Sequence, residues 1–136
     1  MDEAKLLLRH ALATIAYRGG KALRGAPADF ATFEPGSGLR TPVVLLAHIS
    51  DLFDWAVTHA QGNPQWKPAT PLAWPEEVSR FHDALKRLDE IFASDMPLAA
   101  PAQKLLQGPI ADALTHVGQL VMYRRMSGSG IKSENF

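Results

Sequence analysis

Proline and glycine residues divide this chain into stretches that have the composition of helices. The first stretch runs from about Asp2 to Leu23, and a loop rich in small residues follows from Gly25 to Gly38. The second opens at Thr41-Pro42 and runs to about Ala60. A threonine cap followed by proline in the first turn is typical of a helix start, whereas clustered proline and glycine interrupt helices. The positions of the proline and glycine residues therefore predict separate helices joined by long loops.

Two further helices are predicted in the second half of the chain. The third begins at Trp74-Pro75-Glu76-Glu77, with acids where the helix dipole favours negative charge. Its apolar residues recur at alternating steps of three and four, the pattern of a bundle helix: Val78, Phe81, Leu85, Leu88 and Phe92. The fourth is predicted from about Pro109 to Met126, after a turn at Pro101 to Leu106 and before a loop tail ending at Phe136. We therefore predict an all-α four-helix bundle in one domain, residues 1–136.

Composition narrows the classes of partner. Fourteen basic and fourteen acidic residues give a net charge of zero, which removes the usual electrostatic basis for binding nucleic acid or anionic membranes. No apolar run approaches the roughly 18 residues of a membrane span, and the acidic start lacks the pattern of a signal peptide. The chain has no cysteine, so thiolate ligands and a cysteine nucleophile are excluded. We expect a cytoplasmic protein whose partner is a small molecule.

His48 is the first candidate for chemistry. Helical phase places it on the apolar face of the second helix, together with Leu45, Ile49 and Leu52. Burial favours the neutral form of an imidazole, and the neutral form is the one that binds a metal. The alternative is a core histidine that is simply satisfied by a hydrogen bond.

Asp112 and His116 form the second candidate, one helical turn apart. Side chains at i and i+4 project from one strip of a helix, which here continues through Gln119. The opposite side carries an aliphatic stripe: Ile110, Leu114, Val117 and Val121. We predict that the Asp112/His116 strip faces the bundle interior and that the stripe faces something else, which could be a second subunit.

Together His48, Asp112 and His116 would supply two imidazoles and one carboxylate to a divalent ion. Three protein ligands leave coordination positions open, as in a reactive rather than a structural site. This ligand set suits Zn, Fe(II), Mn or Ni and does not choose among them. The alternative is an Asp–His hydrogen bond on a solvated helix face, because such pairs are common by chance.

The same residues resemble the motifs of a known superfamily. Leu45-Leu46-Ala47-His48-Ile49-Ser50-Asp51-Leu52 is similar to the second-helix histidine motif of the DinB-like (YfiT-like) metalloenzymes, the damage-inducible DinB family. Asp112 to Leu120, followed by Arg124-Arg125, resembles the last-helix motif, in which a histidine precedes a small residue and Gln. The order and spacing of the motifs, the long loops and the four-helix layout fit across most of the chain.

The resemblance implies an up-down-down-up four-helix bundle that is often dimeric. It also implies a divalent metal, commonly zinc or nickel, held by a histidine triad in which His48 matches the first ligand and His116 the last. Asp112 stands where many members have a histidine, which lowers the net charge of the site. Members with assigned activities include thiol-dependent S-transferases and a maleylpyruvate isomerase, both of which use low-molecular-weight thiols. A thiol co-substrate for this chain follows from the resemblance alone.

Other polar residues were weighed against structural roles. His10 shares a helix face with Tyr17 and is a candidate fourth ligand or an ordinary boundary histidine. Arg124-Arg125 could bind an anionic substrate, but cations in a last helical turn also favour the helix dipole. Tyr17, Asp51 and Tyr123 are neighbours of the site by helical phase only, so no catalytic residue is named.

The sequence therefore predicts a divalent-metal-dependent enzyme that acts on a small molecule, and the resemblance implies Zn or Ni rather than Fe or Mn. The ion would activate a bound water or an incoming thiolate, for metal-assisted hydrolysis or for transfer to a small electrophile. One rival is a non-catalytic stress-response or interaction protein that keeps the bundle and the metal. A second rival has no metal and uses the three residues as a buried hydrogen-bonded network.

Overall fold

A computed structural model describes residues 2–133, and these residues form helices and loops without any strand. The elements are α1 (Glu3–Leu23), a 3₁₀ turn (Phe30–Thr32), α2 (Pro42–Ala60), α3 (Trp74–Ala93), α4 (Ala102–Leu105), a π-helical turn (Leu106–Ile110) and α5 (Ala111–Met126). The prediction of an all-α chain is confirmed for this part. The end of the predicted loop tail, residues 134–136, lies outside the described residues.

The predicted start of the last helix was wrong. Helical structure begins at Ala102 and continues without a break through Pro109 into α5. A proline inside an α-helix lacks an N–H and its ring clashes with the carbonyl four residues earlier. The wider π turn that contains Pro109 accommodates both effects, so proline here alters the helix without ending it.

α1 continues through Gly19 and Gly20 to Leu23, and at Gly19 a close packing contact requires glycine. A Cβ atom on Gly19 would lie 2.7 Å from Cζ of Phe81 in α3. The missing side chain thus lets the Phe81 ring approach the α1 backbone. Phe81 is fully buried.

Each long helix packs against two others. α1 lies against α3 and α5, and α2 also lies against α3 and α5. Lys5, near the start of α1, donates to the carbonyl oxygens of Ser94 and Met96, which follow the end of α3. At the other end of α1, the Arg124 guanidinium donates to the carbonyls of Ala22 and Arg24. These charged contacts join helix ends above and below an apolar core.

The aliphatic stripe of α5 packs inside the molecule. Ile110 and Val117 are fully buried, and Leu114 and Val121 are half-buried against the same core. The prediction that this stripe faces away from the interior was wrong, because the core side of the helix runs through Ile110, Ala113, Val117 and Leu120. No helix of the described chain combines the length and apolar character that crossing a bilayer requires.

Candidate metal centre

α2 and α5 bring His48, Asp112 and His116 together at the edge of their interface. Their potential ligand atoms all lie within 4.8 Å of one another, and no other such group of His, Asp and Glu occurs within residues 2–133. The side chains of His48 and His116 are 19% and 12% exposed, whereas that of Asp112 is 49% exposed. The prediction that these residues meet is confirmed. The predicted interior position was wrong for Asp112, which lies at the solvent rim.

Both imidazoles direct Nε2 towards the carboxylate. His116 Nε2 lies 3.4 Å from Asp112 Oδ1, and His48 Nε2 lies 3.9 Å from Asp112 Oδ2. The two imidazole rings meet edge to face, with centroids 4.8 Å apart. Two nitrogen or oxygen ligands of one tetrahedral zinc ion are separated by about 3.4 Å, given bonds of about 2.1 Å. The His116–Asp112 pair already has this separation, and the wider pairs, up to 4.8 Å, would close by small side-chain movements around a single ion.

The three side chains are not hydrogen-bonded to one another. Both nitrogen–oxygen distances exceed the usual range for N–H···O bonds, about 2.7–3.2 Å. A network that replaced a metal would satisfy these groups by direct hydrogen bonds. The arrangement leaves two Nε2 atoms and a carboxylate facing one another without a direct hydrogen bond, which favours an ion over a closed network.

Gln119 fixes the orientation of His116. The Nδ1 atom of His116 lies 2.8 Å from Oε1 of Gln119, one turn further along α5. An amide oxygen can only accept a hydrogen bond, so the contact favours the tautomer that donates from Nδ1, and in that tautomer Nε2 keeps its lone pair. A ligating histidine commonly donates its other N–H in this way.

His48 is held in its neutral form by its surroundings. Burial lowers the pKa of His48 below its ordinary value of 6.5, because the charged form loses hydration. The charge of Arg40, and that of His116 in its protonated form, lower this pKa further, and Asp112 and Asp51 oppose the shift only in part. An imidazole that stays neutral is available as a metal ligand.

An aromatic wall borders His48. The Trp66 ring, carried by the connector between α2 and α3, meets the His48 ring edge to face with centroids 5.8 Å apart. Trp66 also contacts Trp55, which in turn packs against His59. Since Trp66 is 46% exposed, one side of the indole faces the centre and another faces solvent.

Buried charges hold the connector that carries Trp66. Asp51 accepts a hydrogen bond from the N–H of Ala69, and the fully buried Glu77 accepts one from the N–H of Leu72. Arg80 pairs with both carboxylates, and its single positive charge offsets part of their negative charge inside the protein. This α2–α3 cluster fixes the connector, and through it the position of Trp66.

The other candidate residues have separate roles. His10 lines a different cavity of about 510 Å³ between α1 and α3, which also contains His82, so it is neither a ligand nor a neighbour of the three residues. Arg124 is buried and its guanidinium donates to carbonyl oxygens, so it is not free to bind a substrate. Tyr17 packs beside Lys21 on α1, and only Tyr123 faces a cavity near the centre.

The sequence did not predict that Arg40 and Trp66 lie near the site, although a packing role in the loop cover was expected for Trp66. Arg40 precedes Thr41 at the start of α2, and its charge acts on His48. The sequence offers no signal for this contact, because Arg40 lies in the loop before α2, where helical phase does not apply. The contact of Trp66 with His48 was not predicted either, because it depends on how the connector is held against the helices.

Comparison with known proteins found no relative of this chain. No protein-family model matches the chain, and neither a curated protein nor a solved structure matches it. The resemblance of its two motifs to the DinB-like superfamily stays a prediction. The functional argument therefore rests on the geometry of the site.

Proposed function

We propose that this protein binds one divalent metal ion through His48, Asp112 and His116. The observation that carries the proposal is the convergence of two Nε2 atoms and one carboxylate within 4.8 Å. Three further features support it: the protonated Nδ1 of His116, the lowered pKa of His48 and the absence of hydrogen bonds among the three residues.

Zn²⁺ and Ni²⁺ are our first candidates, and Fe²⁺ and Mn²⁺ fit the same ligand types. Imidazole suits zinc and nickel, and a single carboxylate binds harder or borderline ions. The half-exposed carboxylate of Asp112 leaves the solvent side of the centre open. A site with three protein ligands and an open side is suited to binding a further molecule.

Metal analysis of the purified protein tests this proposal. The wild type is expected to hold about one equivalent of Zn²⁺ or Ni²⁺ after loading and removal of excess ion. His48→Ala and His116→Ala are each expected to lose it, while His82→Ala, at an exposed position of α3, retains it. Stoichiometric metal in both variants would show that the site is wrong.

We further propose that the centre is catalytic and acts on a small molecule. A bound divalent ion supplies Lewis acidity, which lowers the pKa of a water or thiol that it coordinates. Gln119 keeps the Nε2 lone pair of His116 directed inward, and Trp66 shields the His48 side from water. Because the chain lacks cysteine, any thiol must come from a co-substrate.

Two reactions fit this arrangement: transfer of a low-molecular-weight thiol to an electrophile and metal-assisted hydrolysis. Zinc-loaded protein is assayed for thiol consumption with a model electrophile and for release of p-nitrophenolate from an ester. We expect one activity to appear and to be lost in His116→Ala. Metal binding with neither activity, and with no thiol raising the melting temperature, would favour the alternative, a non-catalytic metal-binding stress-response or interaction protein.

The helix directions support membership in the DinB-like superfamily, which we also propose. The Arg9–Asp89 ion pair and the Gly19–Phe81 contact run in opposite senses along α1 and α3, as antiparallel helices require. Arg80 contacts the carbonyl of Ala47 and Arg87 pairs with Asp54, so α2 and α3 run in the same sense. This pattern supports an up-down-down-up bundle.

The homodimer and the cytoplasmic location are proposals that rest on the resemblance and on composition. The aliphatic stripe of α5 no longer supports the dimer, because it packs in the core. Sedimentation of the metal-loaded protein tests the dimer directly, and a monomer at micromolar concentration would contradict it.

A further inference from the structure

A small cavity adjoins the metal centre on its α5 side. Its volume is about 360 Å³, near the lower end for small-molecule sites. It is lined by Gly38, Leu39, Arg40, Leu45, Gln119 and Tyr123. Because Gln119 also bonds to His116, the cavity borders the imidazole of a proposed ligand.

Arg40 brings a positive charge without a counter-charge to this cavity. Its side chain is exposed, and none of the ion pairs or hydrogen bonds among residues 2–133 involves it. By contrast, Arg9, Arg80 and Arg87 each pair with a carboxylate. Arg40 nevertheless lies close enough to His48 for its charge to act on that imidazole.

Tyr123 adds a second unpartnered polar group. Its ring is buried and tilted against Phe33, whereas its hydroxyl lies where it can reach solvent and makes no hydrogen bond within the described chain. A tyrosine hydroxyl at the wall of a cavity can donate to a ligand oxygen in place of water. Leu39 and Leu45 supply apolar surface beside these two polar groups.

Charge balance points to an anion. A divalent ion held by two neutral imidazoles and the Asp112 carboxylate keeps a net charge of about +1, and Arg40 adds another. Two neighbouring positive centres repel, and an anion between them relieves that repulsion. A guanidinium has a planar fork that matches a carboxylate, and one arginine balances one carboxylate charge.

We propose that this cavity is the substrate subsite of the metal centre and that it binds a small organic carboxylate. The carboxylate pairs with Arg40 and accepts from the Tyr123 hydroxyl, the carbon chain lies against Leu39 and Leu45, and the remainder points towards the imidazoles. The cavity serves as a substrate subsite only if the proposed function holds. The contact with the carboxylate itself needs only residues of this chain.

Binding of butyrate and of its neutral analogue butyramide tests the inference. Ligand-observed NMR titrations at low ionic strength are run on metal-free and zinc-loaded protein, since salt screens an exposed arginine. Butyrate is expected to bind at least about tenfold more tightly than butyramide, the range for a charge-assisted contact. Arg40→Ala is expected to remove this preference, and Tyr123→Phe to weaken butyrate several-fold.

Arg125→Ala is the matched control, because it removes an exposed arginine from the end of α5. This variant is expected to bind butyrate and butyramide with the same affinities as wild type. Arg40→Ala is also expected to bind Zn²⁺ at least as tightly as wild type, because removing a nearby positive charge favours a cation. A variant that merely disturbed the fold would lose zinc and butyrate together.

The outcomes separate the two proposals. If butyrate binds Arg40→Ala as it binds wild type, or if butyramide binds as well as butyrate, the carboxylate subsite is refuted while metal binding stands. If the binding of butyrate to metal-free protein depends on Arg40 but no metal ion binds, the carboxylate subsite stands and the metal proposal fails.

Discussion

The hydrogen bond between Gln119 and His116 makes a sharp prediction about metal affinity. Gln119→Ala removes the acceptor 2.8 Å from His116 Nδ1 without removing a ligand. The imidazole is then free to rotate or to move its proton to Nε2, the atom that faces Asp112. Partners of this kind usually contribute 10- to 100-fold in metal affinity. Gln119 is exposed, so we expect the lower value, about tenfold or roughly 1.4 kcal/mol.

Competition of Zn²⁺ between the protein and a chromophoric chelator measures this loss. Gln119→Glu is expected to bind zinc several-fold more tightly than wild type, because a carboxylate acceptor raises the basicity of the imidazole. Gln103→Ala, an exposed glutamine of α4, is the control and is expected to match wild type. Equal affinity of wild type and Gln119→Ala, or weaker binding by Gln119→Glu, would refute the orienting role.

Three further predictions concern stability. Glu77→Gln alters a fully buried carboxylate that accepts a connector N–H, so urea unfolding should show a loss of about 1–3 kcal/mol with unchanged metal stoichiometry. Gly19→Ala places a Cβ 2.7 Å from Phe81 and should lower the free energy of unfolding by about 1–3 kcal/mol. Gly118 has open space around it, so Gly118→Ala should raise the same quantity by about 0.5–1 kcal/mol. The pKa of His48 in the folded protein lies below 6.5, so the unfolded chain binds more protons as the pH falls. The free energy of unfolding of the metal-free protein should therefore decrease below about pH 6.5. In His48→Gln this decrease should be less steep.

Local signals predicted the first three helices well. Their bounds follow from residues that act on their own neighbours, such as Pro42 in the first turn of α2. The apolar periodicity of α3 likewise marks its buried side, since a helix without that side would not pack. The buried carboxylate cluster around Arg80 could not be predicted in the same way. Its partners come from two helices and a connector, which only the fold brings together.

The residues of the site could be predicted from the sequence, but how deeply each of them is buried could not. Spacing alone placed Asp112 and His116 on one strip, and phase placed His48 towards the interior. Burial depends on how far α5 is rotated against α2, which a heptad pattern does not specify. The rotation leaves Asp112 at the rim, where it can reach both imidazoles and solvent.

The π turn determines that rotation. Leu105 and Ile110 are both buried although they are five residues apart, a separation that a regular α-helix turns by about 140°. A π turn absorbs roughly one extra residue, so that both side chains face the core as an i, i+4 pair would. Asp112 and His116 follow Ile110 in regular α-helical phase, and their position at the edge facing α2 is therefore set by the turn around Pro109. The turn around Pro109, where the sequence predicts a helix start, thus contributes with the buried side of α5 to the register of the metal centre.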